Sequence, residues 1–162
     1  MEIIKHSGVY HFESQQFLPV TKEDAWSFFS APKNLQIITP EKMQFKITSP
    51  LTDDVFQGQI ITYNIRLNPL FKMNWVTEIT SIEAGVSFVD EQRYGPYKMW
   101  HHRHVIKEVD GGVLMTDTVH FKLPFPLFSW LVYKPFVKKN LTTIFKYRTD
   151  KLDELASKNQ IK

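Results

Sequence analysis

The sequence predicts an α+β domain in which a bent antiparallel sheet is closed over by one long terminal helix, and three observations predict it. The first is the order of patterns: a strand-like run, two short helical stretches, six further strand-like runs and a helical C-terminal stretch. The second is Asp110-Gly111, a two-residue hairpin signal, because both central residues of such a turn need positive φ. The third is an aromatic content of 14%, with 13 Phe. That is more flat apolar surface than a compact core of this size needs, and it suits a pocket for an apolar ligand.

In chain order, Val9 to Val20 reads as the first strand, anchored by Phe12 and Phe17. Thr21 is placed to cap a helix, with Glu23 and Asp24 in its first turn and Ala25, Trp26, Phe28 and Phe29 as its apolar stripe. Ala31-Pro32 ends it. Asn34 caps a second helical turn carrying Leu35, Ile37 and Ile38, which Pro40 closes. Met43 to Ile47 is expected to be a strand, Pro50 to Asp54 a loop, and Gly58 to Leu67 a strand that Asn68-Pro69 breaks. Lys72 to Glu83 follows. A two-residue turn at Ala84-Gly85 then pairs Ser81 with Phe88, Ile79 with Asp90, Thr77 with Gln92 and Trp75 with Tyr94.

The Asp110-Gly111 turn sets a register in which Val109 faces Gly112, Ile106 Met115, His104 Asp117, His102 Val119 and Trp100 Phe121. The opposite face carries the more polar set, including His101, Arg103, Lys107, Thr116, Thr118 and His120. So Trp100, His102, His104 and Asp117 are expected to point inward, beside Tyr63, Trp75, Asp90 and Gln92. Beyond Pro124 the pattern becomes helical. Phe125 to Tyr133 is apolar nearly all round, Pro135 interrupts, and Phe136 to Ala156 is periodic through Val137, Leu141, Ile144, Phe145, Arg148, Leu152 and Leu155. Ser157 to Lys162 is expected to fray.

Composition narrows the function. A chain of 162 residues is read as a single domain, 1–162, burying roughly 70% of its unfolded surface. The absence of cysteine excludes disulfides, thiolate chemistry and Cys-based zinc sites. A net charge of +3, from 20 basic and 17 acidic residues spread along the chain, gives nucleic-acid binding little support. With no signal-like run and no membrane-spanning stretch, a cytoplasmic protein is the expectation.

Two imidazoles and a carboxylate on an apolar face need partners, since an unpaired buried polar group costs about 1–3 kcal/mol. A His104–Asp117 cross-strand pair is one. An enzyme would use His104 oriented by Asp117 as acid/base, with His102, Asp90 or Tyr63 as a second proton donor. His102 and His104 with Asp117 opposite could also be metal ligands. Residues two apart on a strand are about 7 Å apart at the backbone, however, and no metal or cofactor is expected. No nucleophilic serine motif and no phosphate-binding glycine loop is present. In Phe125–Lys139, Phe128, Trp130, Leu131 and Tyr133 precede Lys134, Lys138 and Lys139, a combination suited to transient contact with a membrane surface.

The spaced residues Trp26-Ser27-Phe28-Phe29, Ile38-Thr39-Pro40, Gly58, Trp75, Phe88-Val89-Asp90-Glu91-Gln92, Gly95-Pro96-Tyr97, Trp100-His101-His102-Arg103-His104, Asp117 and Ile144-Phe145-Lys146-Tyr147-Arg148 carry a resemblance over nearly the whole chain. They resemble the SRPBCC ligand-binding proteins, the helix-grip group that includes START lipid-transfer domains, birch-pollen-allergen-like proteins and polyketide cyclase/dehydrases. The resemblance implies a seven-stranded sheet gripping the C-terminal helix around a hydrophobic cavity, with two short helices after the first strand. It covers carriers and enzymes alike. The leading expectation is a binder of a small hydrophobic molecule (lipid, quinone or polyketide-like) with Tyr63, Trp75, Asp90, Gln92, Trp100, His102, His104 and Asp117 at the site. The alternative is a cyclase or dehydratase working through His104, Asp117 and His102.

Overall fold

The computed structural model describes residues 2–68, 71–124 and 137–161. One antiparallel sheet of eight strands runs through it: β1 (Glu2–His6), β2 (Val9–Leu18), β3 (Lys46–Ile47), β4 (Ile60–Asn68), β5 (Phe71–Glu83), β6 (Ser87–Tyr94), β7 (Met99–Val109) and β8 (Gly112–Lys122). Across the sheet their order is β1-β2-β8-β7-β6-β5-β4-β3. Among the described residues the α-helices are α1 (Lys22–Ser30), α2 (Asn34–Ile37) and α3 (Lys139–Ser157). This is a helix-grip α+β fold with one strand more than expected, and the short helices follow the second strand. The additional strand is β1, which hairpins onto β2 through Ser7 and Gly8, at φ 47° and 80°.

The β7–β8 hairpin forms as its turn dictates. Val109 pairs with Gly112, His104 with Asp117, His102 with Val119 and Trp100 with Phe121. Gly111 sits at φ 79°. Gly112 is held for a different reason, because a Cβ there would run into the carbonyl oxygen of Leu18 on β2. Gly112→Ala is therefore expected to cost about 1–3 kcal/mol of overpacking, read as a lower midpoint in urea with an unchanged slope.

The β5–β6 hairpin departs from the expected register near its turn. The connection spans Ala84, Gly85 and Val86, closed by Val86 N–H to the Glu83 carbonyl (2.9 Å), so that Glu83 pairs with Ser87 and Ile82 with Phe88. A bulge between Ile79 and Ser81 absorbs the extra residue. Ile79 then meets Asp90, and Thr77 meets Gln92, as expected; a second irregularity sets Val76 rather than Trp75 against Tyr94. Thus the inward side chains of β6 reach their places although the turn was misread.

Thr21 caps α1 as its sequence suggests, accepting from Asp24 N–H at 3.1 Å and donating to the Asp24 carboxylate at 2.7 Å. Asn34 does not cap α2 but lies inside it, donating to the Phe28 carbonyl (2.9 Å) and so fixing α2 against α1. The strand expected over Met43 to Ile47 is shorter. Glu41–Met43 is a 3₁₀ turn and Gln44 adopts φ 44°, leaving Lys46 and Ile47 for β3.

Two apolar clusters fasten α3 to the sheet. Leu152, Leu155 and Ala156 pack with Leu18, Phe28, Ile106 and Met115, while Leu141 and Phe145 pack with Tyr10, Phe12, Val119 and Phe121. The tail does not fray through its whole length, because Ile161 is 2% exposed in the first cluster. A third cluster, of Met43, Phe45, Ile61, Tyr63, Ile65, Trp75 and Ile79, covers the β4–β5 end of the sheet. The apolar run of 125–136, its Pro135 break and most of the stretch considered for membrane contact lie outside the described residues. Among the described residues, no helix is long and apolar enough to cross a membrane.

Candidate functional site

Between α3 and the β4–β5 end of the sheet lies a pocket of about 170 Å³. One water needs roughly 10–15 Å³ on the same measure, so the space suits a larger guest. Its walls are apolar side chains from every layer: Phe28, Phe29 and Leu35 from the short helices, Ile61, Tyr63, Trp75 and Ile79 from the sheet, and Leu141, Ile144 and Phe145 from α3. Aromatic rings make one continuous side. Phe45, Tyr63, Trp75 and Trp100 follow one another at centroid distances of 4.7, 5.9 and 5.5 Å, and Tyr97 leans on both tryptophans. The Tyr63 hydroxyl and Thr77 Oγ1 share a hydrogen bond of 3.0 Å. Burial and the nearby Asp90 charge push the Tyr63 phenol far up, so it stays a neutral donor.

The polar side of the pocket is built on three adjacent strands. On β7, His102 and His104 point inward two residues apart, and their rings converge to 3.8 Å between centroids. Asp90 on β6 sits directly opposite His102, and Asp117 on β8 directly opposite His104. Each histidine therefore lies between two carboxylates. His102 Nε2 donates to Asp117 Oδ1 (2.9 Å), and its Nδ1 is 3.3 Å from Asp90 Oδ2. His104 Nε2 donates to Asp90 Oδ2 (2.9 Å). Its Nδ1 lies 2.8 Å from Asp117 Oδ1 but off-line, an ion-pair approach that leaves this atom without a hydrogen bond among the described residues. Phe88 stacks on His104 at 4.2 Å.

Arg148 completes the group from α3, its Nη1 donating to Asp117 Oδ1 at 3.2 Å while the guanidinium lies over the Phe145 ring. Burial alone would raise the Asp117 carboxyl, but the Arg148 charge and the two imidazoles overturn that and hold it well below the usual range. Asp90 is likewise lowered against the pull of burial, by the same histidines and by Arg148. The histidines part company. Burial and the neighbouring His104 lower His102, whereas the carboxylates on either side outweigh burial and raise His104. His104 is thus the more basic of the two, and its protonated form would leave two carboxylates balanced by one imidazolium and one guanidinium.

Stability then depends on pH with a definite sign. The lowered Asp90 and Asp117 contribute stability that is present above the unfolded carboxylate value of about 4 and lost as pH falls through their folded values. Lowered His102 weakens the fold as pH drops below about 6.5, whereas raised His104 contributes stability that is fully present below about 6.5 and lost as pH rises through its folded value. Urea unfolding is therefore expected to show stability falling on the acid side below about pH 4, where the carboxylates take up protons, and a separate loss on the alkaline side as His104 gives up its proton.

Solved structures share this arrangement of sheet and helix. A norcoclaurine synthase from Thalictrum flavumn, a point mutant in complex with a transition-state analogue, superposes with a TM-score of 0.67 at 11% identity, covering 99% of this chain and 99% of that one. Ara h 8.0201 gives 0.56 at 15%, over 90% and 98%. The di-domain ARO/CYC StfQ of the steffimycin biosynthetic pathway gives 0.66 at 10%, over 93% of this chain and 51% of that one. The chain has the SRPBCC, or Bet v 1-like, fold. No family model and no curated protein matches it by sequence.

Within this SRPBCC fold, Tyr63, Trp75, Asp90, Trp100, His102 and His104 all line the pocket. Asp117 stands behind the imidazoles, buried, and bonds to them and to Arg148 rather than lining the space. Gln92 is elsewhere engaged: it donates to the Tyr97 carbonyl (2.6 Å) and accepts from Tyr97 N–H (3.2 Å), bracing the loop before β7. The sequence reading missed Arg148 as a site residue. Its signal was a single charge on the otherwise apolar stripe of a helix.

Proposed function

We infer that the protein binds a small, largely apolar molecule in this pocket, held by one hydrogen-bond acceptor turned toward the polar wall. The observation that carries the reading is a pair of unmatched donors. Among the described residues, Trp75 Nε1 and Arg148 Nε are buried without hydrogen-bond partners, and both residues line the pocket. Buried donors in native proteins almost always have partners, so a ligand oxygen in the pocket is a natural one. Because Asp117 already compensates Arg148, a neutral carbonyl fits better than a further anion, which favours quinone- or polyketide-like guests over fatty acids. A small hydrophobic partner, a cytoplasmic setting and no engagement with nucleic acid belong to the same proposal.

Native mass spectrometry of the purified protein is expected to show a co-purified molecule of a few hundred daltons. Uptake of an apolar fluorescent probe is expected to weaken in Trp100→Ala and in Trp75→Ala. Unchanged uptake in both would remove the aromatic wall from the account.

A second reading has one observation in its favour, the His104–Asp90 hydrogen bond on the pocket wall, with His104 raised above its ordinary range. Such a pair can pass a proton to a carbonyl and take one from the adjacent carbon, the elementary steps of a cyclase or dehydratase. Asp90→Asn would then abolish turnover of the bound compound while sparing its binding. A pure carrier leaves that compound unaltered in both proteins.

A further inference from the structure

The geometry points to a binding site for one divalent transition-metal ion, of the zinc or iron class, held by His102 Nδ1, His104 Nε2 and Asp90 Oδ2 at the pocket wall. The three atoms lie within 4.8 Å of one another. Asp90 Oδ2 is 3.3 Å from His102 Nδ1 and 2.9 Å from His104 Nε2. Ligand atoms about 2.1 Å from a shared ion are about 3.0 Å apart at right angles and about 3.4 Å apart at tetrahedral angles, so the two separations from Asp90 match edges of a coordination shell, and the two ring nitrogens, within 4.8 Å of each other, must come within about 4.2 Å to share one ion.

The surroundings are those of a metal site rather than of an ordinary ion-pair network. Behind the imidazoles stands a single carboxylate oxygen, Asp117 Oδ1, hydrogen-bonded by His102 Nε2 at 2.9 Å and approached off-line by His104 Nδ1 at 2.8 Å. A carboxylate behind a ligating histidine is what fixes ring orientation and raises ligand strength at metal centres. His102 Nδ1 and His104 Nε2 both face the same Asp90 oxygen, and an ion bound there would displace the proton that His104 Nε2 shares with Asp90. Arg148 offsets the charge of Asp117, leaving Asp90 to balance the ion. On the pocket side the coordination shell stays open to water or to a ligand oxygen. Two nitrogens and one oxygen suit zinc or ferrous iron, whereas calcium and magnesium prefer all-oxygen sets.

From sequence, the candidate third ligand beside the two histidines is Asp117, and backbone spacing argues against a metal. The side chains converge far more than that spacing allows for, and the third ligand is Asp90, placed by the β6–β7 register.

The test uses tag-free protein stripped with a chelator and titrated with Co²⁺, read by visible absorption, and with Zn²⁺, read by calorimetry. The expected result is one ion per chain. Asp90→Asn is expected to weaken binding by about 100-fold or more and Asp117→Asn by about 10–100-fold. His120→Ala should leave it unchanged; that substitution breaks the exterior row His11, His120 and His101, the competing place for an ion. Circular dichroism of each variant confirms folding. The proposal is overturned if the wild type takes up neither ion at about 100 μM, a weak-binding threshold of about 5.5 kcal/mol, or if uptake survives Asp90→Asn and disappears in His120→Ala. It stands apart from the ligand reading, which needs no metal.

Discussion

Alanine in place of Asp117 is expected to destabilise the protein by about 3–5 kcal/mol. The carboxylate accepts from His102 and Arg148 and is approached by His104, all within 3.2 Å of one oxygen atom. Removing it takes the paired carboxylate from a guanidinium that is 8% exposed and the hydrogen-bond acceptor from His102. For a chain of this length the loss corresponds to a fall in Tm of about 6–20 °C. Asp117→Asn keeps the volume and one acceptor, so a smaller loss with a flatter acid limb is expected. Equal losses in the two variants would mean that packing, not charge, is what Asp117 supplies.

Phe145→Ala is the second large effect, about 3–5 kcal/mol. Phe145 is 3% exposed and stands where α3 meets the sheet, 4.5 Å from the Phe12 ring and beneath the Arg148 guanidinium. The same ring is part of the pocket wall, so its removal both loosens the helix and enlarges the space beside His102. The loss should not add to that of Asp117→Ala, because Arg148 is shared by the two sites; a double-mutant cycle is expected to give a coupling of about 0.5–3 kcal/mol. Strict additivity would show that Arg148 does not link helix to sheet.

These two substitutions also mark what the sequence could and could not disclose. The inward set of β7 and β8 was legible because a two-residue turn and a period of two leave no freedom in register. Asp117 opposite His104 follows from that alone. Its bond to His102, a diagonal neighbour, depends on rotamers that no periodicity encodes. On β6, a three-residue turn and a compensating bulge defeated the pairing near Ser81 yet returned Asp90 and Gln92 to their expected partners. Gln92 faced the right way and was then recruited by the Tyr97 backbone, an interaction set by loop shape. The first strand was missed although Ser7-Gly8 was a turn signal, because Glu2–His6 is too short to show alternation. Arg148 was visible as a lone charge on an apolar stripe, but only the packing of α3 against β8 shows which carboxylate it meets.

The claim at the centre of this account is that the space between α3, Trp75 and Trp100 admits a guest. Titration of a naphthoquinone against tryptophan emission tests it, since Trp75 and Trp100 line the pocket. Saturable quenching at one quinone per chain is expected, and most of it should vanish when Trp75 and Trp100 are both replaced by phenylalanine. Quenching that rises linearly without saturation, or that is unaltered in the double variant, would contradict the account.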